Sequence, residues 1–378
     1  MRKLAHIEKI EWKKPIEGAD RIELVGVLGW QCIAKKDEFQ IGDLCVYIEI
    51  DSIVDKFNPD FAFLEKRNYK IKTMKMKGVI SQGIVFPLSL LDFTNKKYKI
   101  GDDVTEVLKI TQVEDELPKQ TNQGRISEAK QKYKKLFNNR IFKWLMQFKT
   151  LRAIILGILL PKKTTRKFPS WIVKTDETRL QNMPFVLEEY KGKQMIVTEK
   201  LDGTSTSFGL KKQGLWKYDF AVCSRNLRIP NPKSKCAFSD NVYYEMANKY
   251  NVKNALLSLM KRNKANVVVL QGETIGQSIQ KNKYGLRDRD FYAFNLVIDG
   301  EKIDSVIAAK IVSEYGIKWV PILDENFSLL DTVEEMISYA DNKSTICDTL
   351  REGVVIRDHD NTISFKCISN AFLLKHNI

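Results

Sequence analysis

The stretch that most restricts what this chain can fold into is Val197-Thr198-Glu199-Lys200-Leu201-Asp202-Gly203-Thr204. Gln194 to Thr198 is short, apolar and β-branched, which predicts a strand. Asp202-Gly203 then turns the chain, and Thr204 to Phe208 starts a second β-rich run. The pattern sets one lysine at a strand end, with a carboxylate two residues on and a glycine that leaves room for a phosphate to approach. Alone, Lys-x-Asp-Gly is a weak signal. A hairpin turn with a solvated lysine and aspartate is the plainer reading of it.

The rest of the chain supplies the context. A net charge of +15 over 378 residues implies a polyanionic partner. Nucleic acid leads, with an anionic membrane surface as the competitor. At 43% hydrophobic and 29% charged residues the chain reads as globular, with length for two or three cored domains. Six cysteines form no C-x-x-C pair, and His6, His359 and His376 are too dispersed for a zinc site, so a reducing compartment is expected. Charged residues follow Arg2 and Lys3 at once, unlike a signal peptide. The longest strongly apolar run, Ala153 to Leu160, is too short to span a bilayer. The expectation is an intracellular monomer with no stable membrane association.

Residues 1-110 carry short alternating runs at regular spacing, among them Arg21 to Trp30, Gln31 to Ala34, Leu44 to Ile48 and Val79 to Val85. This predicts a small OB-like β-barrel that binds nucleic acid. Lys70, Lys72, Lys75 and Lys77 are candidates for the gripping face, each weighed against plain solvation. Residues 111-168 form a basic helical connector: from Arg125 to Lys167 the only acid is Glu128. Leu136, Phe137, Ile141, Trp144, Leu145 and Phe148 recur at helical spacing, and two amphipathic helices stopped by Pro161 are expected. They serve as packing connector, phosphate-binding surface or both, ahead of membrane binding.

Residues 169-378 are α/β in pattern, and five further stretches there line up behind Lys200. Val222-Cys223-Ser224-Arg225-Asn226 follows an apparent strand. Val267 to Leu270 runs into Gln271-Gly272-Glu273. Phe291 to Leu296 is an aromatic strand, Arg351-Glu352-Gly353 leads another, and Ile363-Ser364-Phe365-Lys366 ends in a lysine. A lysine amine attacks phosphorus only when neutral, yet its ordinary pKa is about 10.4. Nearby cations or desolvation must therefore lower it.

In this order the stretches resemble the motifs of enzymes that carry a nucleotide on a lysine, the ATP-dependent ligases and capping guanylyltransferases. The wording of Phe168 to Trp171, Lys174 to Asn182, Gln271-Gly272-Glu273 through Ile279 to Gly285, and Ser364 to Lys375 is similar to RNA ligases. Ala19 to Leu24, Gly42 to Tyr47 and Asp51-Ser52 resemble the branch with an OB-type domain ahead of the ligase domain. The resemblance implies an α+β protein whose residues 169-378 form a nucleotidyltransferase domain of ATP-grasp-like antiparallel sheets with helices.

It also implies roles. Lys200 is the expected nucleophile on the α-phosphate of ATP. Glu199 and Asp202 share its motif and are assigned to the ATP site. Asp202 and Glu352 hold Mg2+ or Mn2+ through water. Arg225 contacts ribose and phosphate, Glu273 the ribose hydroxyls, and Phe294 stacks on adenine, with Tyr292 on the same strand face. Lys366 contacts the α-phosphate and helps depress the pKa of Lys200. Lys174 and Lys375 add charge nearby, with a surface lysine as the alternative for Lys375. Many relatives carry a second lysine where this chain has Ile368, which leaves the α-phosphate one cation short.

The implied activity is ATP-dependent joining of RNA 3′-OH and 5′-phosphate ends, a nicked duplex among the candidate substrates. A DNA ligase, a GTP-using capping enzyme and a non-catalytic RNA-binding protein are the alternatives. No domain is expected behind the ligase core, so the N-terminal part is expected to clamp or orient the strands.

Overall fold

The structure, a computed structural model, describes residues 3–112, 133–148, 166–230 and 241–377, with Leu151, Arg152, Ile155 and Leu159 between them. The N-terminal strands are short because turn residues interrupt the chain every few positions. Leu44–Ile48 lies between Ala5–Lys9 and Ile84–Pro87, and Trp12–Pro15, Ile22–Val27 and Trp30–Lys35 form a meander. The Arg21 to Trp30 run is broken at Leu28, whose φ of 52° sets the hairpin between the last two strands. Side chains from these sheets, including Ile7, Val25, Trp30, Tyr47 and Phe61, fill one core. This is the expected barrel.

Two sheets make up the second half, and every stretch singled out behind Lys200 is a strand of one of them. The larger runs through Tyr218–Ser224, Thr204–Lys212, Val267–Ile275 and Asp290–Ile298, with shorter strands at both edges. Helices Val242–Lys249, Val252–Arg262 and Ser305–Ser313 share a core with one of its faces. The five-stranded sheet orders Thr178–Arg179, Ser364–Ile368, Gly353–Asp358, Gln194–Lys200 and Ile322–Ser328. Buried Arg357 ties the two sheets together. It donates to Asn295 Oδ1 and the Phe294 carbonyl, both at 2.8 Å, and pairs with Glu177 at 3.2 Å.

The barrel is fastened to the second half at two places. Around 179–182, the Gly29 N–H donates to the Gln181 carbonyl at 2.9 Å and Trp30 Nε1 to Asn182 Oδ1 at 2.5 Å, while Arg179 pairs with Asp51 at 2.8 Å. A Cβ on Gly29 would collide with the Gln181 backbone, so glycine is required for this approach. At the other place, Ile368 and Leu373 are buried in the barrel's own core. Ile368 is thus spent on the joint, which gives this position its apolar residue. Gln82 donates to Asn370 Oδ1 at 3.1 Å and Lys72 to the Asn377 carbonyl at 2.5 Å. Lys72 therefore serves the joint, while Lys75 and Lys77 remain exposed and Lys70 is half-buried.

The connector differs from expectation where it is described. It holds two short helices, Lys134–Asn138 and Arg140–Leu145, interrupted at Asn139, whose ψ of 135° is extended. Trp144 and Phe148 stack edge to face yet are half exposed. The remainder of the expected helices, to Pro161, lies outside the described residues.

His6 sits in the barrel at the joint, 2.7 Å from Glu8 and 3.4 Å from Glu49, which also accepts from Asn182 Nδ2 at 2.6 Å. Burial alone would lower its pKa, but the hydrogen bonds and charges of the two glutamates raise it to about 9. The folded-state value exceeds the ordinary 6.5, so the stabilisation is full below pH 6.5 and is lost as pH rises through 9. Denaturant unfolding of the wild type should show a loss of up to about 3 kcal/mol between pH 6 and 10. A His6→Asn variant should lack this dependence.

Candidate active site

Lys200 ends its strand opposite Gly353, and this register brings Glu352 alongside. Lys200 Nζ donates to Glu352 Oε2 at 2.7 Å. Gly353 has a φ of 156°, and a Cβ there would run into the Cys367 carbonyl, so the neighbouring strand can close up only on a glycine. Gly203 proves to be a packing glycine as well. A side chain on it would strike the Thr274 carbonyl and Ile275, which corrects the expectation that it opens space for a phosphate.

Burial opposes the charge on Lys200, but Glu352, Glu273 and Asp202 together raise its pKa. The expectation is that cations depress it; the protein groups around Lys200 are carboxylates and act in the opposite direction. Burial, with repulsion from Glu352 and Asp202, lifts Glu273 to about 8 against the pull of Lys200, and burial also raises Glu352. Asp202 is held by Lys283 at 2.5 Å, and its backbone N–H donates to the Tyr284 hydroxyl at 2.7 Å. With Glu273 holding its proton near neutral pH, Asp202 and Glu352 are balanced by Lys283 and Lys200, and the cluster offers hard oxygen donors of the kind that suit a divalent cation. Among the described residues no group of three side chains is placed to ligate a metal directly.

The cations gather on the other side. Asp176 bridges Arg225 at 3.2 Å and Lys366 at 3.1 Å. Lys174 donates to Asn226 at 3.0 Å. Lys174, Asp176, Arg179 and Lys366 line a cleft of about 600 Å³ whose far wall is Lys3, His6 and Glu49 of the barrel. Phe294 and Tyr292 are both half-buried beside Leu201 and Tyr284.

Lys375 is exposed in the last turn of helix Asn370–His376, where its charge lowers the pKa of Asp348. The Glu199 carboxylate is 1% exposed and fully engaged elsewhere: it accepts from Ser344 Oγ at 2.5 Å and from Thr345 N and Oγ1 at 2.9 and 2.7 Å. It anchors the loop leading to Glu352. Asp176, Lys283 and Tyr284 belong to the site and carried no role in the sequence reading. Their only signal was membership of the Lys174 to Asn182 and Ile279 to Gly285 stretches.

A family model described as RNA ligase matches residues 193–374, and an OB-fold domain model matches residues 4–88. The RNA ligase of Naegleria gruberi is 31% identical over essentially the full length of both chains. Its structure with ATP and Mn covers 99% of each chain at a TM-score of 0.78. Its structures with AMP and Mn, and with pyrophosphate, cover 100% of this chain and 99% of theirs, again at 0.78. This chain belongs to the RNA ligase family. No curated protein matches it in sequence. The RNA ligase has the expected architecture, an OB fold ahead of a ligase domain of sheets and helices, and among the described residues no helix is long and apolar enough to cross a membrane.

Glu199→Ala in this RNA ligase strands the buried Ser344 hydroxyl and removes two hydrogen bonds to the exposed Thr345, so it should cost about 2 kcal/mol of stability by urea titration. A residue that touched only nucleotide would leave the stability of the free enzyme unchanged.

Proposed function

We propose that this RNA ligase uses ATP and a divalent metal, Mg2+ or Mn2+, to join RNA 3′-OH and 5′-phosphate ends through an AMP group carried on Lys200. The observation that carries the reading is the half-buried Lys200–Glu352 pair, with Asp202 and Glu273 beside it. Structures of the Naegleria ligase with ATP, AMP and pyrophosphate support it by likeness.

In the first step the Lys200 amine attacks the α-phosphorus, an N–P bond forms, and the bond to pyrophosphate breaks with the electron pair leaving on oxygen. In the second, a 5′-phosphate oxygen attacks the lysyl phosphorus and frees Lys200, which regains its proton. In the third, the RNA 3′-hydroxyl attacks the 5′-phosphate and AMP departs. Asp202 and Glu352 would hold a divalent ion through water, and its charge would lower the pKa of Lys200 and offset charge on the α-phosphate. Glu352 then holds the amine in line, and Glu273 takes the ribose hydroxyls. Phe294 stacks on adenine. Arg225 and Lys366 exchange Asp176 for phosphate oxygens, and Lys174 adds charge in the cleft. Barrel residues Lys3 and His6 face the same cleft, so polyphosphate entering it bridges both halves of the enzyme. Glu199 and Lys375 act at a distance, the first through its loop and the second through surface charge. The enzyme works as an intracellular monomer, with residues 1-110, 111-168 and 169-378 as its units.

Incubation with ATP and Mn2+ followed by intact-mass spectrometry should show one added AMP. Lys200→Ala should abolish it, and Glu352→Ala should reduce its formation by about 100-fold or more. An AMP adduct on Lys200→Ala would overturn the assignment.

A further inference from the structure

The large sheet carries one feature the active site does not use. Strands Thr204–Lys212 and Tyr218–Ser224 form a hairpin, closed where the Gln213 N–H donates to the Lys217 carbonyl at 2.8 Å. At its tip Trp216 is 85% exposed, more than any other large hydrophobic among the described residues, and Leu215 beside it is 81% exposed. Lys212 and Lys217 flank them and are exposed. The Lys212 N–H donates to the Asn266 carbonyl at 2.8 Å, which sets the exposed Lys264 turn next to the tip. Of the acids nearby, Asp299 spends a carboxylate oxygen on the N–H groups of Asn266 and Val267, and Asp219, on the same hairpin, is paired with Arg228. No ion pair engages Lys212, Lys217 or Lys264 among the described residues.

A solvated indole gains nothing from packing, and this one is held on a paired hairpin among unpaired cations. Aromatic rings interleaved with lysines suit single-stranded nucleic acid, with bases stacking on the ring and phosphates meeting the ammonium groups. The hairpin also has a fixed relation to the chemistry. Its inner end is at the site, since Ser205 pairs with Glu273. From Thr204 to Lys212 the strand covers about 27 Å, at about 3.4 Å per residue.

We propose that this hairpin tip is a second RNA contact, with Trp216 stacking on an unpaired base of the strand flanking the junction and Lys212, Lys217 and Lys264 on its phosphates. At about 3.4 Å per stacked nucleotide, the contact lies roughly eight nucleotides from the joined ends. The proposal rests on the RNA-joining reading above and assigns the tip to substrate capture, not chemistry.

The test compares RNA substrates with single-stranded arms of about 20 and about 5 nucleotides. Trp216→Ala should raise KM for the long-armed substrate about tenfold with kcat unchanged, and leave the short-armed one unaffected. Trp216→Phe should recover most of the loss, and a Lys212→Ala/Lys217→Ala pair should flatten the salt dependence on long arms alone. AMP loading of the enzyme should be the same in every variant. The proposal is overturned if Trp216→Ala matches the wild type on long arms, or if the loss is equal on both lengths. It is also overturned if Trp216 in the free protein is shielded from acrylamide quenching, or if the variant loses binding to anionic vesicles and not to RNA. If the wild type joins neither RNA, the underlying reading has failed, and that result is separate from all of these.

Discussion

The pairing of a half-buried ammonium with half-buried carboxylates is the constraint around which this RNA ligase is arranged. Lys200 and Glu352 come from adjacent strands, and each would pay a large desolvation cost without the other. Asp202 is balanced by Lys283, and burial with repulsion from its neighbours keeps the proton on Glu273. The carboxylates around Lys200 favour its charged form, against the burial that opposes it.

A second group shows the same economy. Asp176 occupies Arg225 and Lys366, so these cations do not face one another uncompensated. Phosphate oxygens offer the same kind of acceptor with more charge, and exchange between the two costs less than desolvating bare cations. The cleft beside them is closed by the barrel. Its geometry is set by the joint at 179–182 and by Ile368 and Leu373 in the barrel's core. The strand that delivers Lys366 thus delivers, two residues later, an anchor for the other half of the molecule.

Much of the site could be read from particular residues. Lys200, Asp202, Glu273 and Glu352 stand beside strand ends, where alternation places a side chain reliably, and the structure brings all four together. Glu199 was misjudged because adjacency to Lys200 in sequence means opposite faces of a strand, and the opposite face here is buried. Gly203 was read as space for a ligand, but a missing Cβ equally serves a close strand. Asp176, Lys283 and Tyr284 were not given roles, because each reaches the site from a loop whose path depends on distant contacts.

The sequence by itself determined the strands, the order of the motifs, the basic character and the family, since these depend on local pattern and on residue identity at fixed spacing. The tertiary structure alone decided which carboxylates surround Lys200, the partners of Arg225 and Lys366, and the use of Ile368 and Lys72 at the joint. Each of those depends on which groups meet across the fold and how much water remains between them, and neither quantity is written at any single position of the chain.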